Sequence, residues 1–239
     1  MVDTPSLREA LVALPPESQA VLAGLYDRQP QLGDDGALHP IDATTRITPG
    51  EGLELIALLN RAQADAVLEI GLGYGFSTQF LLAGLQQRGG GQLLAIDPFQ
   101  SSDWQGIGRG LAAATASAVA GLAFRCIEEP SALALPALER SGERFGLIFV
   151  DGYHRFDDVL CDVTAAARLC TPGGVIVLHD LWLPAVRAVV AFLDSNRLDL
   201  QRLPCSSPDL AAYACMGPDQ RNWDHFVPFA ADGAAVASS

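Results

Sequence analysis

The stretch from Ala66 to Leu85, Ala-Val-Leu-Glu-Ile-Gly-Leu-Gly-Tyr-Gly-Phe-Ser-Thr-Gln-Phe-Leu-Leu-Ala-Gly-Leu, constrains the fold more than any other part of the chain. Val67 to Ile70 are apolar apart from Glu69 and read as a buried strand. Gly71, Gly73 and Gly75 then alternate with larger residues, and Phe76, Phe80, Leu81 and Leu85 recur at helical spacing. A strand that feeds through a glycine turn into a helix is the repeating unit of an α/β fold, and its glycines let a ligand approach the backbone closely.

Such a turn is first a candidate nucleotide site. The dinucleotide fingerprint, however, requires a glycine at its sixth position, where this chain has Phe76. Glu69, just ahead of the turn, would repel a pyrophosphate and attract an ammonium group. S-adenosylmethionine carries an ammonium and a sulfonium and no phosphate. Its carboxylate could accept hydrogen bonds from amides at the helix start and from the Ser77 hydroxyl. The turn therefore suits that ligand better than the NAD of an oxidoreductase.

Glu-Ile-Gly-Leu-Gly-Tyr-Gly-Phe-Ser-Thr resembles the first motif of class I S-adenosylmethionine-dependent methyltransferases. Within that class it is similar to the small O-methyltransferases, the catechol type and the enzymes that decorate antibiotics and macrolide sugars. The resemblance runs from Thr45 to about Met216. It implies a Rossmann-like, doubly wound α/β fold whose seven-stranded sheet is mostly parallel with one antiparallel strand, preceded by N-terminal helices.

The remaining pattern fits that expectation. Ser6–Leu14 and Pro16–Tyr26 read as helices that either cover the cofactor or substrate entrance or act as a packing arm. Gln29–Asp42 reads as a loop and Leu53–Arg61 as a helix. The resemblance places the intervening Thr44–Gly52 beside the methionine end of the cofactor. Strands follow at Gln92–Ile96, Ala123–Ile127, Phe145–Val150 and Gly174–Leu178. Helices are expected in Asp103–Ala120 and at Ser131–Arg140, Arg155–Cys170 and Pro184–Leu193. Phe156, Val159, Leu160, Val163, Ala167 and Cys170 would form the apolar face of the third of these. Leu200–Cys205 and Leu210–Met216, with no helix between them, suggest a closing antiparallel hairpin. The expected organisation is one methyltransferase domain over 1–239: a helical segment 1–63, a cofactor-binding core 64–217 and a tail 218–239. Ala230–Ser239 reads as disordered.

Composition excludes several alternatives. The 15 basic residues are all arginine, against 28 acids and a formal charge of −13, so no polybasic surface is available for nucleic acid or anionic lipid. The lack of lysine removes a lysine base or Schiff base. The five cysteines show no Cys-x-x-Cys spacing and read as buried free thiols of a reducing compartment. The N-terminus does not resemble a signal peptide, and no apolar run is long enough to span a bilayer. The expectation is a cytoplasmic protein acting on a small-molecule acceptor, with a dimer contact available at Trp223–Phe229.

Site residues are expected where parallel strands end, outside the carboxyl edge of the sheet. Asp97 lies where an acid can accept hydrogen bonds from ribose hydroxyls, its alternative being to cap the next helix or turn. In similar enzymes the position of Ser131 hydrogen-bonds adenine. Glu69, Gly71, Gly73, Ser77, Asp97, Ser131 and Asp151 form the expected cofactor set. Asp151 and Asp180 follow strands that should be neighbours, and two close carboxylates repel unless a cation or a shared proton compensates; Mg2+ is the candidate cation. The resemblance implies the same pair as metal ligands, but where the family carries an Asn or acid after the second Asp this chain has Leu181, with His179 on the other side. His154 is the expected general base, since an imidazole accepts a proton near neutrality, and similar macrolide-sugar enzymes place a histidine there. Its alternative is to cap the following helix or pair with Asp157. Phe99, Trp104, Tyr153, Trp182 and Phe226 could shape an acceptor pocket. Methylation of a small-molecule amine, or a non-catalytic partner subunit, would keep the same fold.

Overall fold

The computed structural model describes residues 6–230. The chain opens with α1 (Leu7–Val12) and α2 (Pro16–Tyr26), a small hairpin of β1 (Gln31–Leu32) and β2 (Leu38–His39), and α3 (Pro49–Ala62). Strands and helices then alternate: β3 (Ala66–Ile70), α4 (Phe76–Gln87), β4 (Gly91–Ile96), α5 (Ile107–Ala118), β5 (Leu122–Ile127) and α6 (Ser131–Ser141). The alternation continues through β6 (Phe145–Val150), α7 (Phe156–Leu169), β7 (Cys170–Leu178) and α8 (Pro184–Asn196), and closes with β8 (Leu200–Leu203) and β9 (Ala211–Cys215).

Strands β3 to β9 form one seven-stranded sheet in the order β5-β4-β3-β6-β7-β9-β8. Neighbours from β5 to β7 are parallel, and β9 runs antiparallel to both β7 and β8. The strand order reverses between β3 and β6, which is where an open α/β sheet leaves a crevice at its carboxyl edge. The fold is thus the expected doubly wound one with a single antiparallel strand.

Alternation along each strand feeds two cores. Val67, Leu93, Leu147 and Val177 meet α3, α4 and α5 on one face, while Leu68, Ile70, Ile148 and Ile176 meet α6, α7 and α8 on the other. Leu22, Leu25 and Tyr26 of α2 are buried against the first core, and no residue of α1 or α2 borders the cavity described below. The two N-terminal helices therefore act as a packing arm. Their link to the site is indirect: the Tyr26 hydroxyl donates to the Ile47 carbonyl at 2.9 Å and holds the segment ahead of α3 in place.

Four local expectations need correction. Helix α3 begins at Pro49, because Thr48 and Glu51 close a capping box: the Thr48 amide donates to the Glu51 carboxylate at 2.7 Å and the Glu51 amide to the Thr48 hydroxyl at 3.3 Å. Gln29–Asp42 holds the β1–β2 hairpin, in which His39 lies 2.9 Å from Asp35. Cys170 starts β7 instead of ending α7, whose buried face is Val159, Asp162, Val163, Ala166 and Leu169, with Phe156 exposed. Among the cysteines only Cys170 and Cys215 are buried; all are free thiols, and Cys161 is exposed.

The C-terminal segment folds back on α8. Asn196 donates to the Val227 carbonyl at 2.9 Å and accepts from its amide at 2.7 Å, while Trp223 stays exposed. Ala231–Ser239, most of the tail read as disordered, lies outside the described residues. Among the described residues no helix is long and apolar enough to cross a membrane.

Candidate active site

The carboxyl ends of β3, β4, β6 and β7 open into a cavity of about 530 Å3, which Thr44–Ile47 also line. That volume falls in the range of small-molecule and cofactor sites. Tyr74, Phe76, Phe99, Trp104 and Tyr153 supply its aromatic wall. Trp182 is outside this wall and largely exposed, and Phe226 packs near Phe229 on the C-terminal segment.

The turn after β3 is held from below. Gly71 has φ +92°, and a Cβ there would overlap the Asp151 carbonyl oxygen, so no side chain fits. Asp97, at the end of β4, accepts from the Gly73 amide at 2.8 Å, the Leu72 amide at 3.2 Å, the Gln100 amide group at 2.9 Å and the Phe99 amide at 2.9 Å. Asp97 therefore fixes the glycine loop while forming part of the cavity wall. Ser77, in the first turn of α4, also borders the cavity, where a helix has amides without intrahelical acceptors.

Glu69 is placed differently from the expectation. Its side chain is fully buried beneath the turn, does not border the cavity, and accepts from Ser77 at 2.5 Å and Thr78 at 2.7 Å. Burial raises its pKa to about 8, above the opposing effect of those two hydroxyls. A carboxyl that sits one residue before a turn on a strand points into the sheet face that α4 covers, and there it ties strand end to helix start instead of reaching a ligand's ammonium. Ser131, at the start of α6, does face the cavity, as does Asp162 of α7.

The other end of the cavity is an acid and histidine cluster. His154 Nε2 lies 2.8 Å from Asp180 Oδ2 and 3.5 Å from Asp151 Oδ1, so the residues expected as base and metal ligands do converge. Its bonds to Asp151 and then Asp180 raise the His154 pKa to about 9 despite burial. It does not pair with Asp157; Arg155 holds the position before α7. Asp180 adopts φ +61°, a left-handed conformation uncommon outside glycine and often found at functional sites. The Trp182 indole N–H donates to Asp180 at 2.8 Å.

His179 is buried behind this pair. Its Nδ1 stands 3.1 Å from Asp151 and 3.4 Å from Asp180, and its Nε2 3.6 Å from Glu51 and 3.8 Å from Asp209 without making a hydrogen bond. Burial works against its charge, yet the facing carboxylates, Asp151 foremost, raise its pKa to about 11. Glu51 is drawn down to about 2 in spite of burial, by His179 and by bonds from Thr48 and Ser207. Glu51, Asp209 and Asp162 escaped the sequence reading. Thr48-Pro49-Gly50-Glu51 did carry a signal, the capping box, and Asp162 stands out as an acid on the apolar face of a helix; Asp209, on the β8–β9 loop, has none.

This chemistry fits two groups. The cavity has a glycine-rich turn, a helix start and a strand-end acid, which suit S-adenosylmethionine. Asp151, His154 and Asp180 each offer one ligand atom, all within 4.8 Å of one another, which suits an oxygen-preferring divalent cation or, through the imidazole, a softer one.

Comparison with known proteins agrees with the fold. Residues 68–181 match a family described as "Methyltransferase domain". A protein of Mycobacterium sp. (strain JLS), named "Putative O-methyltransferase", is 31% identical over 179 residues, covering 73% of this chain and 72% of its own. Cofactor-bound Rv0187 from MTB superposes with a TM-score of 0.66 at 19% identity over 91% of this chain and 100% of its own. The O-methyltransferase TomG from Streptomyces achromogenes, involved in tomaymycin synthesis and solved with S-adenosylmethionine, gives 0.63 at 19% identity over 86% and 93%.

Proposed function

The chain belongs to the S-adenosylmethionine-dependent methyltransferases, on the O-methyltransferase side of that family, and from this premise we propose that it methylates a hydroxyl group of a small natural product or its sugar. The observation that carries the proposal is the placement of His154 in the cavity wall, 2.8 Å from Asp180 and across from the glycine turn. Methyl transfer is an in-line displacement at the sulfonium carbon, so the protein has to align the acceptor oxygen and take its proton. His154 Nε2 is the proton acceptor in this reading, and the product nucleoside is S-adenosylhomocysteine.

Asp97 and Ser131 hold the nucleoside, and the amides at the start of α4 take the methionine carboxylate, with Ser77, whose hydroxyl donates to Glu69, lining that end of the cavity. Gly71 and Gly73 admit the cofactor, while Glu69 supports the turn from behind. Asp151 borders the cofactor and, with Asp180, would hold a divalent cation, Mg2+ by preference for oxygen. Bound there, the ion would polarise the acceptor hydroxyl and offset the negative charge that now keeps the proton on His154. Tyr153 and Trp182 flank the acceptor entrance. The whole chain acts as one cytoplasmic methyltransferase domain, segments 1–63, 64–217 and 218–239 included, with Trp223–Phe229 offered to a second copy and no nucleic acid or membrane engaged.

Calorimetric titration with S-adenosylhomocysteine, with Mg2+ and with a chelator, tests the reading. Micromolar binding is expected, followed by turnover of hydroxylated acceptors that a chelator slows; absence of binding at millimolar ligand would overturn it.

A further inference from the structure

His179 uses its two ring nitrogens differently. Its Nδ1–H donates to Asp151 at 3.1 Å, which fixes the ring. Its Nε2 faces Glu51 at the start of α3 and Asp209 on the β8–β9 loop, is sealed from solvent, and makes no hydrogen bond, although the residue is only 7% exposed. A buried polar atom without a partner is costly unless something else occupies the gap.

The gap has the dimensions of a coordination sphere. Glu51 Oε2 stands 3.6 Å and Asp209 Oδ2 3.8 Å from His179 Nε2, and each residue offers one ligand atom within 4.8 Å of the other two. These separations are too wide for a hydrogen bond. They are close to the roughly 3.4 Å between ligand atoms of a tetrahedral ion whose bonds are about 2.0–2.1 Å.

Both carboxylates are also positioned from outside. The Thr48 amide donates to Glu51 Oε2 at 2.7 Å and the Ser207 hydroxyl to Oε1 at 2.8 Å. The Trp182 amide donates to Asp209 Oδ1 at 2.9 Å, which leaves Oδ2 toward His179. The loop is tied to α3, since the Ser207 amide donates to Glu54 at 2.9 Å. Outer partners of this kind orient metal ligands, and a histidine that binds a metal through one nitrogen commonly gives its other N–H to a carboxylate, as His179 does to Asp151.

We propose that Glu51, His179 Nε2 and Asp209 form a divalent-cation site of their own, suited to Zn2+, behind the Asp151–His154–Asp180 cluster and separate from it. One imidazole nitrogen and two carboxylate oxygens are a Zn2+ ligand set, with water in the fourth position, whereas Mg2+ prefers octahedral oxygen surroundings. The ion takes the place of a proton on Nε2 and fastens the start of α3, the end of β7 and the β8–β9 loop together. Asp209, the most exposed of the three ligands, gives it a way in. The site stands on side chains of this chain and depends on neither the cofactor nor the acceptor.

Equilibrium dialysis of the chelator-stripped full chain against Zn2+ tests the proposal. Asp180→Asn weakens the front cluster, so the ion this variant binds reports on the rear site. It is expected to retain Zn2+ at micromolar concentration. Adding Asp209→Asn, which keeps an acceptor for the Trp182 amide, is expected to weaken binding by at least about 100-fold, beyond the loss of 10- to 100-fold for an outer-shell partner. Adding Glu51→Gln instead, which preserves the helix cap, is expected to do the same, with thermal melting confirming the fold of each variant. Failure of Asp180→Asn to bind Zn2+ at micromolar concentration overturns the proposal. Unchanged Zn2+ affinity after either second substitution overturns it as well.

Discussion

At the glycine turn the carboxylates are matched within the chain. Asp97 accepts from loop amides and Gln100, Glu69 from Ser77 and Thr78, and Gly71 leaves its side-chain space to the Asp151 carbonyl. Across the cavity, four carboxylates, Asp151, Asp180, Glu51 and Asp209, surround His179 within 3.8 Å, and its Nε2 makes no hydrogen bond. One end is finished before any ligand arrives, and the other keeps excess negative charge that a ligand can resolve. Preorganisation of this kind serves tight cofactor binding, whereas a charged, incompletely matched cluster is what proton transfer and cation binding require.

The largest break of the finished end is Gly71→Ala. Overlap with Asp151 and the positive φ together should cost about 2–5 kcal/mol, and cofactor titration with thermal melting should show both the lost affinity and the lost stability. At the other end, His154→Ala should lower turnover about 10²- to 10⁴-fold with S-adenosylhomocysteine affinity nearly unchanged. An equal loss of both would join the two ends that the comparison separates. Asp97→Ala should do the reverse, weakening S-adenosylhomocysteine about 10- to 100-fold because a charged acceptor of several loop amides is gone. Trp182→Phe, which removes the donor to Asp180, should change turnover about fivefold and cofactor affinity not at all.

Glu69 sharpens the contrast through pH. Its pKa is about 8 in the fold against an ordinary 4.5, so between those values the folded chain holds a proton that the unfolded chain releases. Stability from this group is complete below pH 4.5, declines as pH rises toward 8, and levels beyond it. Melting temperatures of the wild type and Glu69→Gln, followed from acid to alkaline pH, should diverge in slope across that window. Parallel curves would remove the assignment.

The cofactor end was legible because its parts are contiguous. Strand β3, the turn and α4 occupy consecutive residues, and Asp97 follows one βα unit later, so hydrophobic pattern and glycine spacing located them. Pattern gives position better than orientation, however. Glu69 was correctly placed on the strand end, but whether its carboxyl faces a ligand or the packed helix depends on which sheet face α4 covers. The histidine cluster joins residues from α3, the ends of β6 and β7, and the β8–β9 loop. Asp151, His154 and Asp180 could be found because they close apolar strands. Asp209 arrives by tertiary packing alone, over a separation for which a single sequence holds no local signal. Missing the capping box at Thr48 hid Glu51 as well, since the same carboxylate serves as helix cap and as neighbour of His179.

The space that Gly71 surrenders to the Asp151 carbonyl bears on how such an enzyme can change over evolution. The residue that turns the chain out of β3 and the backbone that closes β6 occupy one volume, so neither can drift without rebuilding the other. Substitution meets less resistance at the rim of the cavity, where Tyr153 is exposed, than at this shared floor.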